Sequence, residues 1–201
     1  MGDADGIIEV VSAGDEDVVV LIWNPDGTQA ELSGNGTRIA AAWLAERTGA
    51  RRISVRVGAR ETSAIVLESG EIEQQLGDVH VGAREVVAGI AFVPVSVGNP
   101  HAVVAGDPAD ILRVGPLLET HPRFPDRTNV QVVRVDGPGE VTARVWERGV
   151  GETSSSGTSA VAVAAATHAE GDVLVHFPGG DLRVHLADGR ARLTGPVGRV
   201  A

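Results

Sequence analysis

The chain has 201 residues, enough for one ordinary domain or two small ones, and its 43% hydrophobic and 22% charged residues are typical of a folded protein. All 17 basic residues are Arg and Cys is absent, which excludes a Schiff-base lysine, a P-loop lysine, disulfides and a cysteine-ligated metal. The 27 acidic residues give a net charge of −10, which disfavours binding to nucleic acid or anionic membranes and favours a small-molecule ligand.

The first half of the chain predicts one helix among short strands. Residues 37–46 are Ala-rich and are followed by Thr48-Gly49, a typical helix stop. Alternating Val and Ile residues between Gly and Asp turns predict strands at 7–11, 18–23, 53–57, 64–67 and 71–75.

The second half repeats this pattern. An Ala-rich helix is predicted at 158–170, and a proline-rich loop is expected between the segment VPVSVGNPHAVV (93–104) and the strand in FPDRTNVQVV (124–133). Strands are predicted at 92–97, 130–135, 141–146, 173–177 and 182–186. One more strand is predicted after the Asp188-Gly189 turn.

The two halves can be aligned as copies of one unit. Trp23 and Trp146 are each followed ten residues later by a Ser-Gly pair, Ser33-Gly34 and Ser156-Gly157, and each pair begins an Ala-rich helix. The strands that follow each helix also occur in the same order, which indicates an internal duplication. We therefore expect lobes at 1–89 and 90–201, with the last few residues returning to the first lobe.

The two Ser-Gly steps have two interpretations. Ser is a common N-cap, so Ser33 and Ser156 can be purely structural. Alternatively, two such steps facing each other across a cleft form a symmetric acid/base pair, because the free N–H groups at a helix N-terminus stabilise an anion.

Four motifs in compatible order resemble diaminopimelate epimerases. They are NPDGTQAELSGNGTRIAA (24–41), VGNPHAVV (97–104), FPDRTNVQVV (124–133) and ERGVGETSSSGTSAVAVAAA (147–166). The resemblance implies an α/β fold of the α+β kind, with two pseudo-symmetric lobes. Each lobe is expected to have a mixed or antiparallel sheet around a central Ala-rich helix, and the active site is expected in the cleft between the lobes.

The resemblance also implies a reaction. Diaminopimelate epimerases interconvert LL- and meso-2,6-diaminopimelate, a precursor of lysine and peptidoglycan, by a two-base proton transfer that uses no cofactor. The family uses two cysteines as the acid and base, and the matching positions here are Ser33 and Ser156.

The remaining site residues are implied by the same matches. Gly34, Asn35, Gly157 and Thr158 would bind the α-carboxylate at the helix starts, and Arg148 would pair with the distal carboxylate. Glu147, Asn24, Asn99 and Asn129 would hold the rest of the substrate, with His101 in support. Residue chemistry alone favours Asx turns at Asn24 and Asn99 and a surface ion pair for Glu147-Arg148. The other histidines have no ligand spacing, and no metal is expected.

The sequence departs from the family pattern in two ways. The pKa of a hydroxyl lies far above that of a thiol, which is near 8.5, so the serine anion costs on the order of 10 kcal/mol more. The first copy also lacks counterparts of residues 90–122, so we expect the natural start to lie further upstream.

The expected function is therefore diaminopimelate epimerase, an isomerase. The alternatives are a non-catalytic amino-acid-binding homologue, or a related isomerase or dehydratase that acts on another amino acid through hydroxyl groups. The expected partner is a small-molecule amino acid, with no nucleic acid and no membrane. The resemblance implies a homodimer, and the absence of a targeting signal favours the cytoplasm.

Overall fold

The computed structural model describes residues 6–24, 27–29 and 33–198. The chain divides into two compact units. The first comprises the described residues of Met1–Leu76 and Arg192–Ala201, and the second comprises Gly77–Ala191. Both combine strands and helices, which confirms the α+β class. The lobe boundary at 89/90 stays a prediction.

The first unit places one helix on a mixed sheet of strand order β1-β2-β3-β4-β5. Its elements are β1 (Ile7–Ala13), β2 (Asp17–Trp23), α1 (Gly34–Thr48), β3 (Arg52–Val57), β4 (Arg60–Val66) and β5 (Ile72–Asp78). Strands β2 and β3 are parallel and α1 connects them; the other neighbours are antiparallel. Helix α1 ends where Gly49 adopts the left-handed conformation with φ of 77°, as the Thr-Gly stop predicts.

The core of the first unit lies between α1 and the sheet. Ala40, Ala41 and Leu44 on one face of α1 pack against Val20 of β2 and Val55 of β3. Alternate residues of β2 are buried, which agrees with the period of two in the sequence.

The second unit contains two α-helices and ten further strands, the last of which continues into the first unit. They are β6 (His80–Val81), β7 (Glu85–Val87), β8 (Ile90–Ser96), β9 (Pro100–Ala105), α2 (Ile111–Glu119), β10 (Asn129–Gly137), β11 (Glu140–Glu147), β12 (Gly151–Thr153), α3 (Gly157–Thr167), β13 (Gly171–Phe177), β14 (Gly180–Ala187) and β15 (Arg190–Gly195). Strand β15 runs from this unit into the first. Two parallel pairs, β9 with β10 and β11 with β13, are connected by α2 and α3 respectively.

Strand β10 separates two layers of the second unit. Val130 and Val132 belong to a cluster with Ile111, Val114 and Leu118 of α2. Gln131, between the two valines, bonds instead to Ser159 of α3. Because every residue from Gly157 to Ala164 is buried, α3 is a central helix, which explains why its sequence is apolar on all sides.

The duplication is visible in strand register. Ile7 of β1 lies opposite Trp23 of β2, and Val130 of β10 lies opposite Trp146 of β11. In both units the next helix begins after a Ser, and the strand that follows this helix is parallel to the Trp-bearing strand. The second unit has the short strand β12 before its helix. The same strand pair therefore precedes the same helix twice.

Two predictions about the second half are wrong. The expected proline-rich loop after residue 104 contains a 3-10 turn at Pro108–Asp110 and helix α2, in which Pro116 lies on the solvent side. Helix α3 ends at Thr167, before the expected 170, because His168 is already extended. None of the helices in the described ranges is long and apolar enough to cross a bilayer.

Candidate active site

Ser33 is the N-cap of α1. Its backbone is extended (φ −132°, ψ 115°), and its Oγ accepts the N–H of Gly36 over 3.0 Å. The N–H of Thr37 donates to the carbonyl of Ser33. The hydroxyl oxygen of Ser33 therefore lies at the positive end of the α1 dipole, where a negative charge is stabilised.

The first turn of α1 is held by a buried glutamine that the sequence analysis did not single out. The side-chain amide of Gln74 in β5 donates to the carbonyl of Gly34 over 2.6 Å. Its oxygen accepts the hydroxyl of Thr37 over 2.8 Å. The signal in the sequence is a polar residue at an inward position of β5, between buried Ile72 and Leu76.

A buried arginine adds positive charge beside this turn. Arg38 is 6% exposed, and its guanidinium donates to Oδ1 of Asn35 over 3.0 Å and to the carbonyl of Pro196 over 3.4 Å. Burial lowers the pKa of Arg38 to about 10, so the group is still charged at neutral pH. Together with the N–H groups of Gly34 and Asn35, it makes the start of α1 suitable for a carboxylate.

Asn24 lies in the turn after β2. Its side-chain amide donates to Oγ1 of Thr28 over 3.0 Å, and its backbone N–H donates to the carbonyl of the same residue. These bonds stabilise the turn, as an Asx-type role predicts. A contact of Asn24 with substrate stays a prediction.

Ser156 begins α3 in a similar backbone conformation (φ −145°, ψ 127°), and its carbonyl accepts the N–H of Ala160. Its side chain makes no capping hydrogen bond, and the residue is 5% exposed. The two serines thus occupy the same place in their units, but only the Ser33 hydroxyl caps its helix.

A buried chain of polar side chains lies next to the start of α3. The amide of Asn99 donates to Oγ1 of Thr158 over 3.4 Å, and Oδ1 of Asn99 lies 2.9 Å from Nε2 of His101. The other ring nitrogen of His101 accepts from the side-chain amide of Gln131 over 3.0 Å, and the same amide donates to Oγ of Ser159. With the Gln131 amide in this orientation, the proton of the imidazole is on Nε2.

His101 is neutral at physiological pH. The ring is 1% exposed, and burial lowers the pKa of His101 to about 3. Through its hydrogen bond, His101 orients the Asn99 side chain, which in turn bonds to Thr158 in the first turn of α3. Gln131 was not singled out by the sequence analysis, although it is a polar residue in the middle of an apolar strand.

Asn129 joins two loops of the second unit. Its Oδ1 accepts the backbone N–H of Arg148 over 3.0 Å, and its Nδ2 donates to the carbonyl of Pro100 over 2.9 Å. Both ends of the amide are thus bonded to main chain. These bonds give Asn129 a role in positioning, and its contact with substrate stays a prediction.

Glu147 and Arg148 lie in the turn between β11 and β12. Oε1 of Glu147 accepts the hydroxyl of Thr153 over 2.6 Å, and Nη1 of Arg148 donates to the carbonyl of Asp126 over 3.3 Å. Asn99 thus bonds to both His101 and Thr158. Asn129 bonds to the backbone of Arg148 and to the carbonyl of Pro100, the residue between Asn99 and His101. Their role as a substrate site stays a prediction.

The described residues contain no group of three or more His, Asp or Glu side chains that could hold a metal ion. Four further histidines bond to neighbours in the second unit, and one of them is His121, whose Nδ1 accepts the N–H of Arg123. His176 lies between Asp181 and Glu140, His185 bonds to Asp172, and His168 accepts the N–H of Gly139.

Residues 93–200 match the family model described as diaminopimelate epimerase. The diaminopimelate epimerase of Desulfitobacterium hafniense is 36% identical over 98% of this chain and 80% of its own length. That of Desulforudis audaxviator is also 36% identical, over 98% of this chain and 82% of its length.

Solved structures with similar folds have lower identity. A protein from Pseudomonas aeruginosa described as a predicted epimerase superposes with a TM-score of 0.76 at 21% identity, covering 96% of this chain and 80% of that chain. A hydroxyproline epimerase from Agrobacterium vitis superposes with a TM-score of 0.70 at 17% identity, covering 95% and 71% respectively. At these identities the similarity supports the fold.

Proposed function

The chain belongs to the diaminopimelate epimerase family, and on that premise we propose that it interconverts LL- and meso-2,6-diaminopimelate without a cofactor. The observation that carries the proposal is the repeated position of Ser33 and Ser156. Each begins the helix that follows the Trp-bearing strand of its unit.

We propose that both serines act on one substrate. One Oγ, as its anion, removes the α-proton, and the electron pair of the C–H bond stays on the carbon and delocalises into the carboxylate. The other hydroxyl donates its proton to the opposite face of the carbon, so the two serines exchange protonation states. The product has the inverted α-centre.

The helix starts would stabilise the charge that develops in this reaction. The N–H groups of Gly34 and Asn35, with those of Gly157 and Thr158, are the donors that we propose for the α-carboxylate. Buried, charged Arg38 supports this role at α1. Arg148 would pair with the distal carboxylate, and Glu147, Asn24, Asn99 and Asn129 would hold the remaining polar groups.

Serine makes this reaction slower than the same reaction with cysteine. The bond from Gly36 to Oγ of Ser33 favours the anion by about 1–3 kcal/mol, which is small beside the roughly 10 kcal/mol difference between hydroxyl and thiol. The hydrogen bond from Gly36 to Ser33 also favours a second candidate function, an amino-acid-binding protein in which Ser33 serves only as an N-cap.

One experiment separates the two functions. LL-diaminopimelate is incubated with the protein in deuterated water, and loss of the α-proton signal is followed by NMR. Exchange that disappears in both Ser33→Ala and Ser156→Ala supports the epimerase. Binding of LL-diaminopimelate in calorimetry, without exchange, would support the binding protein.

We further propose that the protein acts in the cytoplasm and that it is a homodimer, as the family resemblance implies for the dimer. Light scattering after size exclusion would give a mass near twice that of the chain. A monomeric mass at micromolar concentration would contradict the dimer.

A further inference from the structure

The turn that carries Glu147 and Arg148 is a β-turn whose two central amides are both bonded from outside the hairpin. Within the turn, the N–H of Val150 donates to the carbonyl of Glu147 over 3.1 Å. The N–H of Arg148 donates to Asn129, and the N–H of Gly149 donates to Oε1 of Glu119 over 2.7 Å. Gly149, the third residue of the turn, has φ of 77°, a left-handed value that favours glycine.

Glu119 is a buried carboxylate with several partners. It is the last residue of α2 and is 7% exposed. Besides Gly149, it accepts the indole N–H of Trp146 at Oε2 over 2.7 Å, and the guanidinium of Arg127 lies 3.5 Å from Oε1. A buried charge with two N–H donors and an ion pair is well satisfied, so the carboxylate has one stable position.

The indole of Trp146 is fixed from a second side. Gly115 lies one turn before Glu119 in α2, and a Cβ at this position would be 2.6 Å from Cγ of Trp146. Helix α2 thus approaches the indole closely through Gly115 and binds its N–H through Glu119. The carboxylate of Glu119 therefore bonds to Trp146, the residue before the Glu147-Arg148 pair, and to Gly149, the residue after it.

On the basis of the proposed function, we propose that Glu119 is a positioning residue for substrate binding. It fixes the β-turn in the position from which the Arg148 guanidinium meets the distal carboxylate of the substrate. Glu119 lies outside the motifs that predict the site, and it acts through the backbone of the turn and not by contact with substrate.

The test is Glu119→Gln, which keeps the size of the side chain but turns an N–H₂ group toward one of the two N–H donors. We expect the KM for LL-diaminopimelate to rise about tenfold while kcat changes less than about threefold, because the loss affects binding and not the proton transfer. The amide of Gly149 should exchange faster with solvent, and the indole ¹⁵N–¹H signal of Trp146 should shift. The matched control is Glu170→Gln, an exposed position where all three readouts should stay at the wild-type value.

If the wild type binds without turnover, the same tenfold change is expected in the Kd measured by calorimetry. An unchanged KM or Kd in Glu119→Gln, with Gly149 exchange as in the wild type, would overturn this inference alone. A fall in kcat at constant KM would also overturn it. A wild-type chain that neither exchanges nor binds LL-diaminopimelate would overturn the proposed function and, with it, the positioning role.

Discussion

Nε2 of His101 lies 2.9 Å from the side-chain oxygen of Asn99, and through this bond a buried, uncharged histidine orients an amide at the start of α3. Gln131 sets the direction of these hydrogen bonds, because its N–H₂ group can only donate to Nδ1 of His101. His101 therefore needs to stay neutral, since a proton on Nδ1 would face that N–H₂ group.

The first prediction concerns acid stability. The pKa of His101 is about 3 in the folded state and about 6.5 when unfolded, so between these values the unfolded state binds the extra proton. The free energy of unfolding should fall by roughly 1.4 kcal/mol per pH unit as pH drops below 6.5, from this group alone. Above pH 6.5 the group makes no pH-dependent contribution.

His101→Gln should remove this dependence of the free energy of unfolding on pH, as measured by urea unfolding at pH 7, 6 and 5. The stability gap between wild type and variant should narrow as pH falls. The exposed His80→Gln is the control for loss of a histidine. A gap that stays constant over this range would show that His101 does not contribute to the acid sensitivity.

The second prediction concerns the two serines. Replacing both by cysteine (Ser33→Cys with Ser156→Cys) should raise the rate of α-proton exchange at least about a hundredfold, because a thiol at a helix N-terminus ionises near neutral pH. Each single variant should gain less, since the reaction needs one group on each face of the carbon.

The measurement is deuterium incorporation into LL-diaminopimelate, with Ser69→Cys in an exposed turn as the control for an added thiol. A double variant no faster than the wild type would argue that the helix starts do not act on this substrate.

Much of the fold follows from local sequence pattern. The alternation in β2 and the Ala-rich segments predict the strands and helices around both serines, and the spacing of Trp23 and Trp146 from them predicts the common register. These features depend on residues close in the chain, so one sequence is enough to find them. Membership of the family is likewise confirmed.

The missed features depend on packing between distant residues. Pro116 suggests a loop, but the residues buried in α2 recur with helical spacing and the proline faces solvent. Glu119 and Trp146 are 27 positions apart, and Gln131 and Ser159 are 28 apart. No short motif links such pairs, so the residues that hold the site in place could not be assigned to it from the sequence.

The third prediction concerns the glutamine under α1. Gln74→Leu should lower the free energy of unfolding by about 1–3 kcal/mol, because the carbonyl of Gly34 and the hydroxyl of Thr37 lose a buried partner. It should also slow α-proton exchange, since the first turn of α1 loses a support. The neighbour Gln75 is exposed, and Gln75→Leu should change stability by less than about 0.5 kcal/mol. Urea unfolding compares the two, and equal losses would contradict the role of Gln74.

The fourth prediction concerns the contact between α2 and β11. In an ordinary helix, replacing Gly by Ala stabilises by about 1 kcal/mol, because Ala loses less backbone entropy on folding. At Gly115 the added Cβ would lie 2.6–2.8 Å from the Cβ and ring of Trp146, and these atoms cannot move without displacing the indole from Glu119. We therefore expect Gly115→Ala to destabilise the protein by about 1–3 kcal/mol, as overpacking does in a dense core.

The control is Gly137→Ala at the end of β10, where a Cβ would meet no atom within 4 Å. Urea unfolding should show the loss at Gly115 and little change at Gly137, and the indole signal of Trp146 should move only in Gly115→Ala. A stabilised Gly115→Ala variant would mean that helix propensity outweighs the contact, so that α2 does not fix the position of Trp146 and the turn that follows it.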